Sequence, residues 1–256
     1  VQSLFASPEM PAAADQQGMV DEILQSVAAL RGLPVRHKVP AVSHTKAQIL
    51  AYVRSRIAEE YPKKTLENEG DMLKHLGLIP GQMDYRATLS EFVTAQVAGY
   101  FDPFKDRFVL ASWLPELMQK PIIAHELVHA LQHQHFGLKD ALRRIADNDD
   151  ATAARAAIIE GDATIGMMAY MVGAATPLAL TPPILAMAKK TSPGPTLTTR
   201  HIPNYMQRSL LFPYTGGLNL LLRHFSRAGF AGIDALHGSY PESTEQLLHP
   251  EKYGVD

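Results

Sequence analysis

The residues His125-Glu126-Leu127-Val128-His129 follow the pattern H-E-x-x-H within an apolar run that extends from Ile122 to Leu131. An α-helix is the natural host for such a run, and histidines four residues apart lie on one helical face, about one turn from each other. Both imidazoles can therefore reach one ion, and Glu126 is placed to face a water beside it. A fold that uses this pattern must also supply a third protein ligand and leave one position for water.

Cysteine is absent from the 256 residues, which excludes thiol nucleophiles, disulfides and Cys-based metal sites. Any metal site must use His, Asp or Glu, and four of the 11 histidines lie between His125 and His135. If the two motif histidines were buried structural residues, each would need a polar partner inside an apolar helix, so we favour metal binding. With 24 Lys+Arg against 26 Asp+Glu, the net charge of −2 gives no reason to expect a nucleic-acid partner.

Two residues are candidates for the third ligand. His135 continues the metzincin pattern H-E-x-x-H-x-x-G-x-x-H, but Gln132 stands where that pattern needs a glycine to turn the chain. If the helix continues, His135 points well away from the other two histidines. Glu160 is a lone carboxylate among apolar residues of the next predicted helix, where an unpaired charge is costly. We predict His125, His129 and Glu160 as ligands of zinc (Zn2+). His135, and an ion pair of Glu160 with an arginine, remain the alternatives.

Three segments resemble a known group of proteins: HELVHALQ from His125 to Gln132, EGDAT from Glu160 to Thr164, and STEQLLHPEKY from Ser243 to Tyr253. The first two resemble gluzincin metallopeptidases, and all three together are similar to a group of bacterial zincin-like proteins that are often exported. Many gluzincins carry an aspartate four residues after the glutamate ligand, which orients a ligating histidine. Thr164 occupies that place here. Asp162 lies on another part of the helix, which argues against an orienting role for it.

The resemblance covers residues 100–253 and implies a mostly helical α+β fold, zincin-like of the gluzincin type, with a small antiparallel sheet beside the H-E-x-x-H helix. We predict a helical region over 1–94 and a metallopeptidase core over 95–256, within one continuous compact domain. The resemblance also implies an exported protein, placed in the periplasm, the envelope or outside the cell.

The implied activity is zinc-dependent hydrolysis of a peptide or protein substrate, with Glu126 as the general base that takes a proton from water and returns it to the leaving amine. A hairpin before the active helix would offer an edge strand for an extended peptide. Tyr214, His249 and Tyr253 are candidates for stabilising the oxyanion. The alternative is a catalytically inactive binding or scaffold protein of the cell envelope, although the intact Glu126 argues against it. The oligomeric state and the substrate's sequence stay open.

Residues 163–188 carry no charge, and this stretch is long enough for a membrane span. Proline at positions 177, 182 and 183 argues against one continuous span, because each proline breaks the helical hydrogen-bond ladder. We therefore favour a buried helix followed by an apolar loop, and keep membrane contact as the alternative.

Spacing and turn signals predict the remaining elements. The predictions are helices over 10–30, 45–60 and 62–77, an extended piece over 35–42, a β-hairpin over 95–112, a helix over 117–136 closed by Gly137, a helix over 151–172 and further helices over 203–236.

Overall fold

The computed structural model describes residues 10–11, 14–61, 63–114, 116–190 and 202–255. The helices are α1 Ala14–Arg31, α2 Lys46–Glu60, α3 Lys63–His75, α4 Tyr85–Gln96, α5 Glu116–Phe136, α6 Leu138–Ala141, α7 Asp149–Val172, α8 Pro177–Lys190, α9 Asn204–Thr215, α10 Leu218–Ala228, α11 Phe230–Gly238 and α12 Thr244–Leu248. The strands are β1 Met10–Pro11, β2 Ala41–His44, β3 Gly99–Asp102 and β4 Arg107–Ala111. A mostly helical α+β fold is thus confirmed, while its zincin-like character stays a prediction.

The sheet is mixed, and the prediction of an antiparallel sheet is wrong. Its strands lie in the order β1-β2-β4-β3. β3 and β4 form the predicted antiparallel hairpin, with Gly99 opposite Leu110. β2 runs parallel to β4, with Ala41 opposite Phe108. A parallel pair needs a long crossover connection, and α2, α3 and α4 supply it between β2 and the hairpin. Local turn signals reveal a hairpin but not such a distant pairing.

The ends of the two central helices follow from local chemistry. α7 begins after Asn148, whose side chain accepts a hydrogen bond from the Ala151 amide at 2.9 Å. It ends at Gly173, and α5 is closed by Gly137; their φ angles of 69° and 70° lie in the left-handed region that glycine adopts without strain. The predicted helices over 117–136 and 151–172 are therefore confirmed within one or two residues.

The main core lies where α1, α5 and α7 meet beside the sheet. Apolar side chains from all three helices are buried there, together with Phe101 and Phe108 of the hairpin. The helical contributors with at most 2% exposure include Val20, Ile23, Val27, Ile123, Leu127, Leu131 and Ile159. The division between residues 94 and 95 stays a prediction, but α1 shares its core with α5 and α7.

α5 and α7 approach each other closely at Gly166. A Cβ atom at this position would lie 2.6 Å from Val128 Cγ2, well inside van der Waals contact. Val128 lies within the H-E-x-x-H segment, so this contact brings α7, just after its EGDAT segment, against the motif helix. The absence of a side chain at Gly166 allows α7 to pack this closely against α5.

The uncharged segment differs from its prediction in one respect. Its first part is the expected buried helix, the end of α7, but most of the rest, from Pro177 on, is helix α8 rather than a loop. Pro177 stands at the first position of α8, where a missing amide hydrogen leaves no helical bond unmade. In the described part of the chain, no single helix has the length and apolarity of a membrane span. The helices Asp149–Val172 and Pro177–Met187 reach that length and apolarity only when they are taken together, and they are bent by 114° at the break between them.

Candidate metal centre

Helix α5 presents both motif histidines on one face. The ring centroids of His125 and His129 are 4.9 Å apart, with the rings nearly perpendicular. Each directs its Nε2 atom at the same carboxylate oxygen, Glu160 Oε2, at 3.2 Å from His125 and 3.3 Å from His129. This convergence follows from the four-residue spacing, which stacks the two side chains one turn apart on the helix.

Glu160 comes from α7, which crosses α5 in the core. One ligand atom from each of His125, His129 and Glu160 lies within 4.8 Å of the other two. The three predicted ligands are thus brought together, and this group could hold a metal ion. All three side chains are mostly shielded from solvent, with exposed fractions of 13%, 10% and 22%.

The electrostatics of the cluster are those of a tightly coupled ion pair when no metal is bound. Burial by itself lowers the pKa of His129, but the Glu160 carboxylate beside it outweighs burial and raises the pKa to about 9. For Glu160, burial raises the pKa, and the two histidines outweigh it and hold the pKa well below its usual range. The carboxylate is therefore ionised at neutral pH, as a metal ligand must be.

Glu126 lies beside the cluster of His125, His129 and Glu160 and contacts the sheet. Its Oε2 atom accepts a hydrogen bond from the Phe101 amide of β3 at 2.8 Å. That amide points away from β4, because Phe101 and Phe108 form a non-hydrogen-bonded pair in the hairpin. Burial raises the pKa of Glu126 above its ordinary value, and the two histidines and the Phe101 amide oppose the shift. The predicted base and the outer edge of β3 therefore face each other.

Tyr214, near the end of α9, is the candidate oxyanion donor that the structure brings to this group. Its ring centroid is 6.0 Å from that of His125. The negative charge of Glu160 raises the pKa of Tyr214 well above its ordinary value, with smaller contributions from burial and from Glu126. Its phenol therefore keeps its proton at neutral pH and can donate a hydrogen bond, while 42% of the residue is exposed.

The other two oxyanion candidates have partners elsewhere. His249 pairs with Glu251, at 3.4 Å between Nδ1 and Oε1, and its side chain is 52% exposed. Tyr253 donates its hydroxyl to the Ser239 carbonyl at 2.5 Å. Neither contact joins them to the ligand cluster, so Tyr214 is the candidate with a position suited to the role.

His135 is directed away from the cluster. Its Nε2 atom lies 2.8 Å from the Pro34 carbonyl oxygen at an exposed position. Because α5 continues unbroken to Phe136, the six residues from His129 rotate the side chain by about 240° around the helix. The metzincin-like ligand set is therefore not what the structure assembles.

Gln132 connects Asp162 to His129, a link that the place of Asp162 on another part of the helix did not lead us to expect. His129 Nδ1 is 2.8 Å from Gln132 Oε1. The Gln132 Nε2 group donates to the Ile159 carbonyl at 3.0 Å and to Asp162 Oδ2 at 2.8 Å. Asp162 reaches the ligand through an intermediate side chain, which its position on α7 alone does not indicate.

Asp162 is itself held by two further groups from distant parts of the chain. Arg31, the last residue of α1, donates to both carboxylate oxygens at 2.9 and 3.1 Å. His237 Nε2 lies 2.8 Å from Oδ2, and its Nδ1 lies 3.0 Å from the Tyr240 hydroxyl. Burial raises the pKa of Asp162, but Arg31 and His237 outweigh it and hold the pKa well below its usual range.

Sequence reasoning missed Gln132, Arg31 and His237 as neighbours of the site. A signal existed for Gln132, because a residue three positions after His129 shares its helical face. No local signal exists for Arg31, which lies 131 residues from Asp162. No family model, curated protein or solved structure matches this chain.

Proposed function

We propose that this protein is a zinc-dependent peptidase of the gluzincin type. The observation that carries the proposal is the convergence of His125 Nε2 and His129 Nε2 on one oxygen of Glu160, with Glu126 beside them. This carboxylate comes from a second helix, α7, and its approach to both histidines supports its assignment as the third ligand.

The donor atoms fit zinc. Two imidazole nitrogens and one carboxylate oxygen make a set typical of catalytic zinc sites, which leave a further position for water or substrate. Borderline metals prefer imidazole, whereas magnesium and calcium prefer sites built of oxygen alone. When bound, zinc would supply Lewis-acid chemistry, which acidifies the attacking water and polarises the scissile carbonyl.

We assign proton transfer, oxyanion stabilisation and substrate binding to the residues around the cluster. Glu126 takes the proton of the attacking water and later delivers it to the leaving amine. Its burial raises its pKa, which brings its proton affinity closer to that needed for this exchange at neutral pH. Tyr214 donates a hydrogen bond to the developing oxyanion. An extended substrate peptide pairs with the outer edge of β3.

Metal content is the first test. We expect near-stoichiometric zinc in the purified wild-type protein and in His135→Ala, because His135 lies outside the cluster. Glu160→Ala should lose most of the metal, since one of the three ligands is gone. Zinc lost from His135→Ala and kept in Glu160→Ala would contradict the proposed ligand set, and a wild type that takes up no zinc would contradict the proposal as a whole.

Peptide cleavage is the second test, and Glu126→Gln is the decisive variant. The substitution keeps the shape of the side chain and removes the base. We expect it to abolish cleavage of a peptide library while zinc stays bound. If the zinc-loaded wild type cleaves none of the library, the inactive scaffold protein becomes the better description.

A further inference from the structure

We propose that Asp162, acting through Gln132, is a positioning residue that presents the Nε2 atom of His129 to the metal. The proposal rests on the proposed zinc-binding function, which it deepens by assigning a role to a buried network that the reaction itself does not use. In gluzincins of the usual pattern an aspartate contacts a ligating histidine directly, and Thr164 replaces it here. Gln132 and Asp162 provide an indirect route to the same end.

The amide group of Gln132 can take only one orientation. On one side it faces two acceptors, the Ile159 carbonyl oxygen at 3.0 Å and Asp162 Oδ2 at 2.8 Å. The nitrogen must occupy that side, because an oxygen there would oppose a carbonyl and a carboxylate. Gln132 Oε1 is therefore left to face His129 Nδ1 at 2.8 Å.

The orientation of Gln132 determines the tautomer of His129. Since Gln132 Oε1 can only accept, His129 must carry a proton on Nδ1 to complete the hydrogen bond. In the neutral imidazole the lone pair is then on Nε2, the atom that faces Glu160 at 3.3 Å. A ligating histidine is commonly held in this way by a hydrogen bond to its other nitrogen. Asp162 thus determines, through two hydrogen bonds in series, which nitrogen of His129 is free to bind the metal.

Asp162 is suited to be the fixed end of this series of hydrogen bonds. It is fully buried, and Arg31 holds it by two hydrogen bonds while His237 contacts it from another helix. Arg31 is also bound to Asp234 at 2.6 Å and lies over the Phe230 ring. Asp162 and the residues that hold it therefore come from α1, α7 and α11. The position of Gln132 depends on the packing of these helices rather than on α5 alone.

The test compares two buried glutamines. Gln132→Met removes the acceptor for His129 at nearly constant volume. Gln246→Met is the matched control, because Gln246 is also buried and its amide oxygen accepts from the Glu242 backbone, within the C-terminal motif. Zinc dissociation constants are measured by competition with a chromophoric chelator. We expect Gln132→Met to weaken zinc binding by about 10–100-fold, Asp162→Asn to weaken it by at least about threefold, and Gln246→Met to leave it unchanged whatever its melting temperature.

A second readout reports the tautomer itself. In the zinc-loaded wild type, nitrogen NMR should show a slowly exchanging proton on Nδ1 of His129, and this signal should disappear in Gln132→Met and persist in Gln246→Met. A wild-type His129 with its proton on Nε2 would overturn the proposal even if Gln132→Met failed to fold.

The outcomes separate this proposal from the function on which it rests. Wild-type protein that binds no zinc contradicts the proposed function. Wild-type protein that binds zinc, together with a folded Gln132→Met variant of equal affinity, contradicts only the positioning role of Asp162 and Gln132.

Discussion

Zinc binding should be coupled to the release of a proton from His129 over an unusually alkaline range. In the metal-free protein the Glu160 carboxylate outweighs the effect of burial and raises the pKa of His129 to about 9. Imidazole must be neutral to coordinate a metal, so zinc competes with this proton. The raised pKa also means that the ion pair stabilises the metal-free fold fully below about pH 6.5, and that this stabilisation is lost as the pH rises through about 9.

The size of the effect follows from the competition. The apparent dissociation constant exceeds its limiting value by a factor of 1 + 10^(pKa − pH). With a pKa of about 9 the factor is about 100 at pH 7 and about 4 at pH 8.5, so the affinity rises about 25-fold between them. A histidine with an ordinary pKa of about 6.5 would change the affinity by only about 1.3-fold over the same interval.

Isothermal titration calorimetry measures both the zinc affinity and the number of protons released on binding. Titration of zinc at pH 7 in buffers of different ionisation enthalpy should show about one proton released from His129 per zinc bound. Proton NMR of the metal-free protein checks the assignment, since Glu160→Gln should return the pKa of His129 toward its ordinary value by removing the neighbouring charge. A zinc affinity that is flat between pH 7 and pH 8.5, with no proton release at pH 7, would refute the reasoning.

Three further predictions address the fold and the reaction. Gly217→Ala should destabilise the protein by about 2–3 kcal/mol in urea unfolding, because its Cβ would lie 2.5 Å from the Ala157 backbone oxygen. Gly18→Ala, in open space on α1, should instead stabilise by about 0.5–1 kcal/mol, and a Gly217→Ala midpoint equal to wild type would contradict the close approach. Tyr214→Phe should lower kcat by roughly 100-fold while zinc affinity is kept; unchanged kcat in steady-state assays would remove Tyr214 from the mechanism. Because the pKa of Asp162 is held well below its usual range, its ionisation contributes stability that is fully present above about pH 5 and is lost as the pH falls below about 3.9. Asp162→Asn should therefore flatten the acid side of the stability profile, measured by denaturant unfolding from about pH 2 to pH 5.

The helices and the hairpin could be predicted because their signals are local. Apolar spacing, the caps at Asn148, Gly137 and Gly173, and the turn before Arg107 all act within a few residues of the element that they define. The parallel pairing of β2 with β4 could not be predicted, since it joins segments separated by three helices. The helical conformation of α8 was also missed, because proline is a strong breaker signal in the sequence, whereas α8 has Pro177 in its first turn and contains Pro182 and Pro183 in its interior.

For the candidate site, the sequence by itself determined which two histidines share a helical face and which carboxylate lies beside them. The spacing of His125 and His129 places both imidazoles on one helical face wherever that helix lies, and Glu126 is their covalent neighbour. The contact of Glu160 with these histidines was inferred from the cost of an unpaired buried charge, and the crossing of α7 over α5 realised it. Only the tertiary structure brought Tyr214 rather than its competitors to the cluster, turned His135 away and connected Asp162 to His129. Each of those outcomes depends on how separate helices pack, which side-chain spacing within one helix cannot encode.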